Sequence, residues 1–408
     1  MRTLALIRAL SGVALFAPAA LCAPQATEVV VHVGKVLTMD EAGTVHAPGM
    51  IAFKEGRITY IGPIVERENG DAPIARLESW ATPGLVDLHT HIHSGSFADV
   101  NDMVRAVNPE LRASPALRAG NDLIARGRAG GVTTLFGIPG SGTNMGGFGI
   151  VYKSRPAELG FEAAVVRDPG GLKVAQDSNP QRRNQTDFGV TRAGMSWNLS
   201  DVADRALAIQ SDAGGDRDFS LMNLARVMRG ELPVLIHTAG SEGVVNAARM
   251  WKVKYGAKAV ISHGSFDGWK TAPALARMGV PVNHGPRTID YYSTRDGRIV
   301  GTGAEFVAAG VPEFSLNTDS SIVPQELFFL QASMSARYGG DPYTMLLALT
   351  QNPARSFLLD HRVGSLEPGK DADVVLWAGD PLDPRNRVHA VFIDGALDYD
   401  ADRDGQRF

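Results

Sequence analysis

The stretch "PGLVDLHTHIHSG", residues 83–95, sets three of the chain's ten histidines, His89, His91 and His93, at alternate positions. Residues two apart on a strand face the same way, so the three imidazoles can converge on one point, as metal ligands do. Further apolar runs end in the same residue type: His237 in "PVLIHTAG", His263 in "AKAVISHG" and His284 in "VPVNHG", with Asp319 closing "PEFSLNTD". One histidine at the end of an apolar run is ordinarily a satisfied core residue. Several successive runs ending in His, and another in Asp, read instead as a ligand set. Imidazole and carboxylate suit zinc and related divalent ions. Two such ions held a few Å apart can activate a water for hydrolysis.

These residues need a scaffold that brings strand ends together. Short apolar runs, each closed by a polar or glycine-rich turn, alternate with longer amphipathic stretches. The predicted strands are "GLVDLHTH", "VTTLFGIPG", "FEAAVV" with "GLKVAQ", and the four runs above. Helix-like segments include "NDMVRAVNPELRASPALRAGNDLIARGRAG" (residues 101–130) and "PQELFFLQASMSARYG" (residues 324–339). Alternation of strand and helix predicts a parallel sheet. About eight such units fit a (β/α)8 TIM barrel, whose functional residues sit at the C-terminal strand ends. A doubly wound sheet is the alternative, but no dinucleotide fingerprint supports it. Flanking the barrel, "EVVVHVGKVLTMD" and "GMIAFKEGRITYIGP" at one end, and "GSLEPGKDADVVLWAGDPL" and "VHAVFIDGAL" at the other, read as strands of a small β-sandwich built from both chain ends. The expected division is 1–26 signal peptide, 27–80 and 363–408 sandwich, and 81–362 barrel.

At 44% hydrophobic and 21% charged, with 45 Gly and 23 Pro, the composition is that of a turn-rich globular enzyme. The formal net charge of −4 carries no excess that would draw nucleic acid or a membrane surface. Residues 1–26 carry Arg2 and Arg8, no acid, an apolar stretch and then small residues, the pattern of a secretory signal peptide. The stretch is short and holds Ser11 and Gly12, which argues against a retained membrane anchor. Cleavage after Ala19 or Ala26 is expected, and loss of the two arginines moves the net charge to −6. Cys22 is the only cysteine, and the large Leu21 before it disfavours lipid attachment. Cleavage beyond Cys22 leaves no thiol, so any metal must be held by histidine, carboxylate or lysine-derived groups. A periplasmic or secreted protein follows.

At these residues the chain resembles the amidohydrolase superfamily, in its imidazolonepropionase-like and metal-dependent carboxypeptidase-like branch. "TPGLVDLHTH" resembles that superfamily's first-strand motif; "PVLIH", "AVISHG" and "LNTDS" resemble its fifth, sixth and eighth strands; "RVGSLEPGKDADVVLWAGDPL" resembles the return into the small domain. The resemblance runs from about Val29 to Ile393. It implies that His89 and His91 bind the more buried of two divalent ions, with Asp319 as a further ligand, and that His237 and His263 bind the second. Zinc is the expected metal. Lys173, in "PGGLKVAQDSNPQRR", matches the lysine that related enzymes carboxylate; an ammonium has no lone pair to offer a metal, so it could bridge two ions only as a carbamate. Lys153 in "IVYKSR" is the competing lysine, and Lys173 is preferred for its place at the end of an apolar run. Asp319 is also expected to act as general base and then general acid. Two segments depart from the family pattern, "AQDSNPQRR" after the lysine and "TAGSEG" after His237. Both should line the substrate side of the pocket.

Other residues are more loosely assigned. His93, His284, Arg287 and Tyr291 are substrate-contact candidates, with Tyr292 beside them; the arginine could pair with a substrate carboxylate. His32, His46, His361 and His389 are expected to be structural. The glycine-rich "GIPGSGTNMGGFG", residues 137–149, lacks the Lys-Ser/Thr ending of a phosphate loop and is expected to be a flexible loop over the barrel mouth. "DADRDG", residues 400–405, begins like a calcium loop, but the chain stops at Phe408, short of the bidentate Glu that such a loop needs.

The expected activity is hydrolysis of a C–N amide bond in a small peptide-like substrate: an N-acyl amino acid, a dipeptide or a cyclic amide. The alternatives are a one-metal deaminase or imidazolonepropionase-type ring hydrolase, a lactonase or phosphotriesterase, and, least favoured, a non-catalytic binding protein. The sequence leaves a homo-oligomer open. Export is directly testable: N-terminal sequencing of protein recovered from the periplasm should begin at Ala20 or Thr27. A Met1 terminus on cytoplasmic protein alone would refute it.

Overall fold

The structure, a computed structural model, describes residues 27–66, 74–96, 99–182, 188–211, 218–294 and 296–406; the expected signal peptide and Cys22 lie outside them. The first strands are β1 (Val29–Leu37), β2 (Gly49–Lys54), β3 (Arg57–Gly62) and β4 (Ile74–Pro83). Eight barrel strands follow: β5 (Leu85–Thr90), β6 (Val132–Gly137), β7 (Met145–Lys153), β8 (Val165–Ala175), β9 (Val234–His237), β10 (Ala259–His263), β11 (Val282–His284) and β12 (Ser315–Leu316). The chain then returns through β13 (Val374–Trp377), β14 (Val388–Ile393) and β15 (Ala396–Asp400).

The outer sheet runs β15-β14-β13-β4-β1-β2-β3, so both chain ends contribute to it. Phe53 on β2 and Phe392 on β14 are separated by three strands in that order. A flat sheet would hold them about 19 Å apart at the usual strand spacing. Their ring centroids lie 5.3 Å apart. The sheet therefore curls over and closes on an apolar filling of Val31, Val33, Ile51, Val374 and Leu376. His389 belongs to this part, its Nδ1 2.9 Å from the Ser79 hydroxyl.

The barrel sheet follows chain order from β5 to β12. It is nearly closed: Thr90 at the end of β5 bridges to Ser320 just past β12, and the His91 amide donates to the Ser320 carbonyl at 2.8 Å. Helices such as Arg192–Ser211, Ser241–Ala248 and Phe328–Arg337 cover its outside. An apolar cluster of Val86, Leu88, Phe136, Leu235, Val260 and Phe357 gathers residues from four of its strands. No helix among the described residues is long and apolar enough to cross a membrane.

Three local expectations are corrected. Part of the glycine-rich stretch is no flexible loop: Met145–Lys153 forms the fully buried β7, antiparallel to both β6 and β8. Its glycines serve close approach. A Cβ on Gly149 would lie 2.5 Å from the Phe136 ring, and Gly147, at φ +104°, would press the Leu111 carbonyl. Residues 101–130 are not one long helix; only Asp122–Ala129 is α-helical, capped by the Asn121 side chain. Pro109, Pro115 and Gly120 interrupt the pattern, and Val107 and Arg112 bridge to β7 instead. In "FEAAVV" the first residues lie in a short helix, Gly160–Ala164, and the strand starts at Val165.

Lys153, the competing lysine, sits at the junction of barrel and outer sheet. Its fully buried ammonium lies 2.6 Å from Asp373 and 2.9 Å from Asp371. Removing one partner of a buried ion pair leaves uncompensated charge, at a cost of about 3–5 kcal/mol. Lys153→Met should lower unfolding stability by that order, read as a shifted midpoint in urea. An unchanged midpoint would show that the junction does not depend on this pair.

Candidate active site

Each site residue stands where an apolar strand gives way to a polar turn. His89 lies in β5 and His91 just beyond it; His237 and His263 are the last residues of β9 and β10. Lys173 lies within β8, opposite Leu235 and Gly147. Asp319 follows β12 by three residues. His263 and Asp319 adopt φ of +70° and +48°, a left-handed backbone that side-chain-bearing residues rarely take. Strain of this kind is retained where the surroundings enforce it, commonly at functional sites.

The side chains converge. The Asp319 Oδ1 is 3.4 Å from His89 Nε2 and 3.3 Å from His91 Nε2. The His89 and His263 rings are 4.4 Å apart, and those of His263 and His237 4.6 Å. Lys173 Nζ is 3.5 Å from His89 Nε2 and donates to the Ser141 hydroxyl at 2.8 Å. Lys173, not Lys153, therefore belongs to this cluster.

The far ring nitrogens are held by the protein. His91 Nδ1 is 3.0 Å from the Ile138 carbonyl and His263 Nδ1 is 2.7 Å from the Gly285 carbonyl, so each donates there and leaves its Nε2 lone pair inward. His89 Nδ1 is 2.6 Å from the Ser262 hydroxyl. Such partners orient metal-binding imidazoles. His263 Nε2 is buried with no hydrogen-bond partner among the described residues. His89, His263 and Asp319 can each place one ligand atom within 4.8 Å of the others. An orphaned buried imidazole nitrogen beside a carboxylate is the donor set that fits a divalent cation.

Electrostatics agree with that fit. Burial, helped by the Lys173 charge, pulls His89 well below the usual histidine range, and burial also lowers His263. Both rings are thus kept neutral, as ligands must be. Burial brings Lys173 down to about 7 against the pull of Asp319, so much of the amine is unprotonated near neutrality. Burial pushes Asp319 up, but the neighbouring His91, His263 and Lys173 outweigh it and hold the carboxyl below its ordinary value.

Asp87, two residues before His89, was not anticipated. It is fully buried: one oxygen accepts the His89 amide at 3.0 Å, the other the Thr318 hydroxyl at 2.6 Å and the Gln325 amide at 2.7 Å. Burial raises its pKa to about 6 against these hydrogen bonds. An acid inside the apolar run "GLVDLHTH" was the available signal. Ser262 and Ser141 were also missed, having no local pattern to mark them.

The looser candidates divide. His284 is fully buried, with Nδ1 2.7 Å from the His263 carbonyl and Nε2 2.7 Å from the Thr302 hydroxyl. Both nitrogens are used within the protein, where one supports the His263 backbone. His93 is buried against Gly137 and lowered to about 4 by burial. Arg287 does line the cavity of about 270 Å³ that holds His237, His263 and Asp319. Ser178 and Asn179 from "AQDSNPQRR", and Thr238 and Ala239 from "TAGSEG", line the same cavity. Tyr291 and Tyr292 stand farther out, on an adjoining groove.

Residues 183–397 match the sequence profile described as Amidohydrolase family. The chain belongs to the amidohydrolase family. It is 26% identical over 367 residues to an imidazolonepropionase from Rhizorhabdus wittichii, covering 81% of this chain and 88% of that protein. It is 25% identical over 370 residues to amidohydrolase tasK of Hapsidospora irregularis, covering 78% of this chain. It spans only about a third of that protein's length, 36%. The crystal structure of an amidohydrolase from Thermotoga maritima MSB8 superposes with a TM-score of 0.82 at 27% identity, over 91% of this chain and all of that one. Family and site together make this a metal-dependent hydrolase of the amidohydrolase superfamily. Ser262→Ala removes the hydroxyl beside His89 Nδ1, and loss of such a partner typically weakens metal binding about 10–100-fold. Chelator competition should register that loss; unchanged zinc affinity would remove Ser262 from the metal's support.

Proposed function

We propose that this amidohydrolase is exported and hydrolyses a C–N amide bond of a small substrate, using two divalent ions, zinc by preference. The observation that carries the reading is the convergence of His89, His91, Lys173, His263 and Asp319 at adjoining strand ends, with His237 beside them. His89, His91 and Asp319 would hold one ion and His237 and His263 the other. Lys173 would join them as a carbamate: its neutral amine adds to CO2 and loses one N–H proton, giving an N-carboxylate with oxygens to share. Bound ions supply an acidified water and polarisation of the scissile carbonyl. Asp319 takes the water's proton as it adds to the carbonyl carbon, then passes a proton to the departing nitrogen as the C–N bond breaks. No covalent enzyme intermediate is needed.

A one-ion site, as in a deaminase or ring hydrolase, is the second reading. It is favoured by the compactness of the His89, His263 and Asp319 set, and Lys173 would then stay an amine. Metal counting by mass spectrometry on wild type and Lys173→Ala separates the two. Two ions falling to one or none supports the carbamate bridge; one ion in both proteins refutes it. Asp319→Asn should lower kcat by about 10²–10⁴-fold on whichever amide is turned over. Zinc-reconstituted protein with no turnover across N-acyl amino acids, dipeptides, cyclic amides and lactones would refute the hydrolase reading.

A further inference from the structure

Two cavities meet at Asp319, and a third adjoins the first of them. The one holding His237 and His263 shares Asn179, Asp319 and Ile322 with a second of about 410 Å³, which His91, Asn101, Met103 and Ser141 line. On the opposite side it shares Phe266, Pro286 and Arg287 with a third, a groove of about 510 Å³. The metal-proximal centre therefore lies between two arms. The groove's walls are largely apolar or aromatic: Ile289, Leu327, Leu330 and Met334, with Tyr291 and Tyr292 on its rim. The two tyrosine rings lie 4.1 Å apart and their hydroxyls are joined at 2.7 Å.

Arg287 stands at the junction. Among the described residues it is the only lysine or arginine lining any of the three cavities. Its guanidinium carbon lies 4.8 Å from the Phe266 ring centroid, a stacking contact that leaves the N–H edge available. Among the described residues it makes no ion pair. The neighbouring acid, Asp290, is already engaged by the Trp269 indole at 2.9 Å, the Ser293 hydroxyl and the amides of Tyr292 and Ser293. Arg287 is exposed, and a cation that stacks on Phe266 with an apolar groove opening beside it suits an anion attached to an apolar group.

We propose that the substrate is an N-acyl amino acid with a large apolar side chain, its α-carboxylate on Arg287, its side chain in the groove and its acyl group in the arm beside Ser141. In such a molecule one carbon, next to the scissile nitrogen, bears both the carboxylate and the side chain. Arg287 likewise lines both the metal-proximal cavity and the groove. Hydrolysis adds hydroxyl to the acyl carbon, breaks the C–N bond and places a proton on the departing nitrogen, releasing a carboxylic acid and a free amino acid. This inference rests on the amide-hydrolase reading and narrows it.

The test compares acetate release from N-acetylphenylalanine, N-acetylglycine and N-acetylphenylalaninamide by the zinc-reconstituted full chain. Wild type should prefer N-acetylphenylalanine over both others by about 10-fold or more in kcat/KM. Arg287→Met should lose about 10–100-fold on the acid, mostly in KM, as expected for a lost charged hydrogen bond, and nothing on the carboxamide. Met334→Trp, which fills the groove, should cost the phenylalanine conjugate and spare the glycine one. Equal rates on glycine and phenylalanine conjugates, or equal Arg287→Met losses on acid and carboxamide, would overturn the inference. If nothing is hydrolysed, the amide-hydrolase reading itself fails. Calorimetric binding of N-acetylphenylalanine then still decides recognition: weaker binding by Arg287→Met upholds it, and indistinguishable binding overturns it.

Discussion

The buried Asp87 carboxylate is the tie on which the site's geometry depends. It gathers the His89 amide from β5 and the Thr318 and Gln325 side chains from the chain beyond β12. Gln325 also accepts the Thr90 hydroxyl at 2.8 Å, so one amide spans both sides of the seam. Where regular strand pairing stops, these side-chain bonds and the Thr90–Ser320 bridge bring the first and last strands together. That seam is what sets Asp319 within 3.4 Å of His89 and His91. A buried acid with several donors is costly to leave unpaired, so the seam and the histidine pair are held by the same group.

Around that tie, the protein directs its imidazoles. Carbonyls of Ile138 and Gly285 and the hydroxyl of Ser262 occupy the outward nitrogens, while burial discourages protonation of His89 and His263. The left-handed backbone at His263 and Asp319 turns both side chains at the strand ends. His284, with its ring nitrogens on the His263 carbonyl and Thr302, braces one of these turns from behind. A histidine can thus serve a metal-binding architecture without facing the metal.

The two buried lysines show how neighbours decide the fate of one residue type. Lys153 is surrounded by Asp371, Asp373 and Asp394, whose combined attraction outweighs burial and holds its pKa above the ordinary value. It remains an ammonium and joins the barrel to the outer sheet. Lys173 is drawn by the Asp319 charge, but burial prevails, giving a pKa of about 7. The same side chain is held as an ammonium in one place and loses much of its charge in the other.

Much of this could be read from local sequence. Short apolar runs ending in His89, His237, His263 and Asp319 marked the barrel strands and the residues that converge at their ends, because burial and strand ends leave patterns within a few residues. The sandwich-like outer sheet was legible for the same reason. Tertiary structure alone decided the rest. The sequence already favoured Lys173 over Lys153 by its place at the end of an apolar run, but the charge state of each rested on distant partners such as Asp373, 220 positions from Lys153. The role of Asp87 rested on Gln325, 238 positions away. The β7 glycines looked like loop until Phe136 and Leu111 were packed against them. A residue's type and spacing record what it can do chemically, but its charge state and direction are set by contacts with groups far away in the chain, which no local pattern contains.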